Sequence, residues 1–126
     1  MANAETFGRE SAALTAAGDT TAGAVLALEN DSGEDRIITG FYLDITTQST
    51  GAAAVDAGVA ADGTTSNDTL LDGASVAAAT VLDLVKNAGT NGAGARRWNA
   101  GDFITITASA DATGLVGTAY VEFFVV

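Results

Sequence analysis

The chain has 126 residues, 16 of them acidic and 5 basic, with no histidine, cysteine or proline. That length suits one domain with one core. The missing residue types exclude disulfides, thiolate chemistry, triads built on histidine or cysteine, the usual zinc sites and slow X-Pro isomerisation, and a net charge of −11 makes nucleic acid and anionic lipid poor partners.

Residues 1–23 are rich in Ala, Thr, Gly and Glu and show no clean period. Apart from Met1, Phe7 and Leu14 are their only large apolar residues. This reads as an N-terminal arm carrying one short strand around residues 7–14, followed by a single domain over residues 24–126. An arm of this kind is expected to be removable without unfolding the domain. Its start holds Glu5 and no lysine or arginine before Arg9, so a signal peptide with a basic start is not expected. No run approaches the roughly 18 apolar residues of a membrane-spanning helix.

Residues 24–29 (AVLALE) form a strand candidate closed by the turn cluster Asn30-Asp31-Ser32-Gly33. Arg36–Thr47 alternates with period two. Ile37, Thr39, Phe41, Leu43 and Ile45 share one face, and Tyr42, Asp44 and Thr46 share the other. Its β-branched content argues strand over helix. Ala54–Ala60 alternates again, with Val55, Ala57 and Val59 on one side. Residues 62–68 are a polar loop, with a helical turn as one option at Thr69-Leu70-Leu71. Residues 81–85 read as a short strand, although the alanines of residues 74–86 also suit a helix. Residues 87–95 are a glycine-rich loop. Trp98 precedes the turn Asn99-Ala100-Gly101-Asp102. Phe103–Ala108 is a strand with Ile104, Ile106 and Ala108 facing one way. Residues 115–126 form the last strand, with Val121, Phe123 and Val125 on one face and Tyr120, Glu122 and Phe124 on the other. Both of its faces are mostly apolar, which places it inside a sheet.

Seven or eight short strands separated by turns predict an all-β, antiparallel β-sandwich. An eight-stranded jelly roll fits the count best, and an immunoglobulin-like sandwich fits the same pattern.

The residues offer little chemistry. Paired carboxylates can cleave glycosides, but most Asp residues here sit beside Gly, Ser or Asn, where they hydrogen-bond turn backbone. Eight aromatics in all leave few for a sugar cleft once the core is filled. Asn30-Asp31-Ser32-Gly33-Glu34-Asp35 crowds three acids into six positions, yet lacks the spacing of a calcium loop. A solvated hairpin turn is the preferred reading over a bound cation. Gly89-Thr90-Asn91-Gly92-Ala93-Gly94 has the glycines of a phosphate loop without its lysine. We therefore expect no enzyme and no cofactor. The acidic balance serves solubility; in concentrated salt the Debye length shrinks to about 3 Å and crowded carboxylates stop repelling one another over distance.

Arg96-Arg97-Trp98 is the only adjacent basic pair, beside the only tryptophan. In one reading Trp98 caps the core and the arginines are solvated. In the other the three form a contact point, since arginine and tryptophan are enriched in interface hot spots.

Two stretches, MANAETFGRESAALTAAGDTTAGAVLALENDSGED and RRWNAGDFITITASADATGLVGTAYVEFFVV, resemble small head decoration (cement) proteins of tailed bacteriophages and related viruses. The likeness spans most of the chain and is weakest over residues 60–95. It implies a jelly roll, usually a homotrimer, on the outer surface of the capsid, clamping neighbouring capsomers. The expected partners are the major capsid protein and further copies of the chain, with neither nucleic acid nor membrane involved. Glu5, Phe7, Arg9 and Leu14 of the arm, with Arg96, Arg97 and Trp98, are the expected capsid or subunit contacts. The rival expectation is a non-enzymatic binding module, such as a carbohydrate-recognising virion appendage or fibre domain, which requires Trp98 and Tyr42 to line one open groove.

Overall fold

A computed structural model describes residues 6–92 and 96–126. Nine strands follow in chain order: β1 (Phe7–Ala13), β2 (Leu26–Glu29), β3 (Arg36–Thr47), β4 (Ala54–Ala60), β5 (Leu71–Ser75), β6 (Thr80–Asp83), β7 (Arg96–Trp98), β8 (Phe103–Ala108) and β9 (Val116–Val125). They build two antiparallel sheets. The larger has the order β1-β9-β3-β6, with β7 also paired to β3; the smaller has the order β2-β8-β4-β5. The molecule is an all-β sandwich, and no helix occurs among the described residues. Both the helix option over residues 74–86 and the helical turn at residues 69–71 give way to β5 and β6. Leu70, Leu71 and Val76 are fully buried there, and Ala74 between them fills the core as a small residue, while Ala78 and Ala79 are exposed.

The pairings are nested. β1 pairs with β9, β2 with β8, β3 with β6, and β4 with β5. β9 lies between β1 and β3, as its two apolar faces predicted. The core draws on both sheets: Phe41, Leu43 and Ile45 of β3 and Val121 and Phe123 of β9 meet Val55 of β4 and Ile104 and Ile106 of β8. Burying side chains of this size contributes roughly 1.5–3 kcal/mol each.

β3 departs from simple alternation. Its register against β9 shifts between Ile38 and Gly40. Arg36 and Ile38 point inward before this bulge, and Phe41, Leu43 and Ile45 after it. Ile37 and Thr39, expected on the inner face, therefore lie outside. A bulge places one extra residue in a strand and so exchanges its faces.

The expected arm also departs. Residues 7–13 are the edge strand of the larger sheet, in register with β9 from Phe7↔Phe124 to Ala13↔Thr118. The short strand anticipated near residues 7–14 is thus an integral part of the sandwich. Its inward residues meet the core directly. A Cβ on Gly8 would lie 2.7 Å from Cζ of Phe123, so a side chain there is incompatible with the packed ring. Two positions on, Glu10 reaches Arg36, their Oε1 and Nη1 atoms 2.9 Å apart. Arg36 is buried. Its guanidinium carbon lies 4.0 Å from the Phe123 ring centroid and 5.1 Å from that of Trp98. Trp98 and Phe123 meet edge-on at 6.2 Å. The buried charge is thus held by two ring faces and one carboxylate.

Trp98 anchors this end of the sandwich. It is fully buried, and its indole N–H donates to the Asp102 carbonyl at 3.0 Å. Its own carbonyl accepts from the buried Asn30 side chain, which also donates to the Glu34 carbonyl. The acidic segment from Asn30 to Asp35 is accordingly a hydrogen-bonded turn. Asp35 accepts from the Ala100 backbone N–H and pairs with Arg97 at 2.9 Å.

Candidate contact face

The outer face of the larger sheet gathers several of the residues singled out by sequence. Alternation along β1, β9 and β3 sends every second side chain away from the core, and the registers stack these into rows. The first row runs Phe7, Phe124, Ile37, Arg97 across β1, β9, β3 and β7. The second holds Arg9 and Glu122 opposite Gly40. The third holds Ser11, Tyr120, Tyr42 and Asp83, and the fourth Ala13, Thr118, Asp44 and Val81.

At its Phe7 end the first row is apolar and open, and it closes on the charged Arg97. Phe7 is 68% exposed, and its ring lies 5.9 Å from that of Phe124. Leaving a phenylalanine this exposed forgoes most of its burial energy, which distinguishes it from the buried aromatics below. Beside it, residues of the next three rows form a depression of about 340 Å³ lined by Arg9, Tyr42, Asp44, Val81, Tyr120 and Glu122. Gly40, on β3, sits opposite Glu122. A Cβ there would lie 2.8 Å from Glu122 Oε1 and 3.1 Å from the Tyr42 hydroxyl, so bare backbone lets both side chains close over it. The Glu122 carboxylate pushes the Tyr42 phenol above its ordinary value of 10.0, first by accepting its hydrogen bond and then by its charge, with Asp83 adding a smaller effect.

The face brings together Phe7, Arg9 and Arg97 and leaves out the other expected contacts. Leu14 packs against the core and donates its N–H to Gly117. Arg96 turns the other way, its Nε 3.3 Å from the Thr69 carbonyl. Trp98 has no exposed surface and is not available as a contact. Trp98 caps the core, but the arginines expected to be solvated beside it both have partners, Arg96 the Thr69 carbonyl and Arg97 the Asp35 carboxylate. Glu5 lies outside the described residues. No family model, curated protein or solved structure matches the chain.

The arrangement offers shape, aromatic surface and charge. Among the described residues no group of three or more acidic side chains is placed to hold a metal ion. Tyr120, Glu122 and Phe124 were not singled out as site residues. Their signal was present in the last strand, whose outward positions are aromatic where solvent-facing positions are usually polar. Buried Arg36 gave no such signal, because its partner Glu10 lies 26 positions away.

Proposed function

We propose that this chain is a capsid decoration (cement) protein, acting as a homotrimer on the outer surface of a viral head and holding neighbouring capsomers through the outer face of its larger sheet. The carrying observation is the open aromatic row led by Phe7. Phe7 lies on β1, an edge strand whose second side has no strand neighbour among the described residues, so side chains and backbone both present a contact surface. With β7 set aside, the nested pairing of first strand with last supports assignment as a jelly roll, the fold expected of such proteins. The charge of −11 suits an exterior surface that should not hold nucleic acid. Contact, rather than chemistry on a substrate, is the role we assign, with the major capsid protein as partner. The carbohydrate-binding alternative loses its main support with Trp98 in the core.

The test is re-addition of purified protein to capsids stripped of it, followed by sedimentation. Wild-type protein should rebind to saturation, and Phe7→Ser, a change at an exposed position, should rebind more weakly while keeping its fold. Equal rebinding by both would remove the proposed face from the contact.

A further inference from the structure

We propose that the depression beside Tyr42 and Tyr120 is a receptor for an arginine side chain presented by a different protein. This deepens the docking proposal above and rests on it. Tyr42 and Tyr120 are register partners on adjacent strands, and both line the depression. Glu122 and Asp44 line the same depression against one basic residue, Arg9, and Asp83 lies on the row of Tyr42. Aromatic faces flanked by carboxylates in acidic surroundings attract a flat cation, which stacks on the rings and donates to the carboxylate at once.

The same molecule already binds one guanidinium in this way. Arg36 is held between Trp98 and Phe123 with Glu10 at 2.9 Å. The outer depression repeats the components, two rings and a glutamate, and no cation stacks on its rings among the described residues. The chain's own basic residues are poor candidates for the guest. Arg36 is buried, Arg96 bonds to Thr69, Arg97 is paired with Asp35, and Lys86 lies 3.9 Å from Asp83. Arg9 lines the depression and lowers its affinity for a second cation, but its charge is outnumbered. An arginine from a partner therefore fits better than one from a second copy.

The probe is N-acetyl-arginine amide, titrated into the full-length, isotope-labelled protein at low salt and followed by backbone amide shifts. Saturable shifts should centre on Tyr42, Asp44, Tyr120 and Glu122. Tyr42→Leu should weaken binding about two- to fivefold, the range expected of a cation–π contact, and Glu122→Gln should weaken it too. Both positions are on the surface, and the dispersion of the remaining signals reports the fold; Glu122→Gln keeps the shape should Tyr42→Leu disturb it. Arg9→Ala should strengthen binding by removing a like charge, whereas a ligand held by Arg9 would weaken. Three results would each overturn the proposal: no saturable shift, equal shifts from N-acetyl-glycine amide, or tighter binding of methyl glucoside at the same residues. Capsid attachment is measured separately. If particles rebind the protein while the probe does not bind, the arginine receptor fails and the docking face stands. Probe binding without particle rebinding fails the docking reading on which the proposal rests, and so overturns the proposal as well.

Discussion

Glu10→Ala is the substitution by which the core of this fold is most directly tested. Glu10 is the ion partner of Arg36, whose side chain is 9% exposed against 30% for Glu10. The Nε of Arg36 already lacks a hydrogen-bond partner. Removing the carboxylate leaves a buried cation held by ring faces alone. Breaking a buried ion pair from one side costs about 3–5 kcal/mol. The partial exposure of Glu10 admits water and lowers this, so we expect about 2–4 kcal/mol. With a urea slope of about 2 kcal/mol per molar, typical of a small domain, the unfolding midpoint should fall by about 1–2 M. The double variant Glu10→Leu, Arg36→Met removes both charges and should recover to within about 1.5 kcal/mol of wild type. A midpoint for Glu10→Ala within error of wild type would refute the view that this pair fastens β1 to the sandwich.

Deleting residues 1–14 removes an entire edge strand, bares β9 and strands Arg36. It should abolish cooperative unfolding, followed by near-ultraviolet circular dichroism; a truncated chain with a sharp transition would restore the removable arm. Gly8→Ala drives a methyl against Phe123 and should destabilise by about 1–3 kcal/mol in the same urea assay. Asp35 is held below its ordinary 3.8, first by the Ala100 backbone N–H and then by Arg97, and Asp62 and Asp111 are lowered by Thr64 and Thr113. Depressed carboxylates contribute stability above their unfolded value and lose it as pH falls through the folded one. Thermal midpoints should therefore drop as pH falls below 3.8, and less steeply in Asp35→Asn.

The alternating segments were readable because one face of each is buried. Phe103–Ala108 and residues 115–126 have the facing their patterns predicted, with Ile104, Ile106, Val121 and Phe123 inside. Three features were not readable, for different reasons. The bulge at Gly40 moves Ile37 outward, and only pairing with β9 reveals it. β1 has small and charged inward residues, Gly8, Glu10 and Ala12, because Phe123 and Arg36 fill the space beneath them. It therefore carries no apolar stripe and reads as an arm. Residues 74–86 have alanines that suit either structure, and long-range pairing of β6 with β3 decides. Of the contact residues, Phe7, Arg9 and Arg97 share a face because register gathers them from two strands far apart in the chain, β1 and β7. Trp98 is the type of residue that anchors an interface or a core with equal ease, and its indole N–H partner lies in the turn it introduces.

Side-chain oxidation footprinting of free and capsid-bound protein tests the contact face most directly. Phe7, Tyr42, Tyr120 and Phe124 should be oxidised in the free protein and protected on the particle, while Phe103, half-buried on β8 of the smaller sheet, should react equally in both. Equal oxidation of all four aromatics on particles that carry the protein would contradict the account.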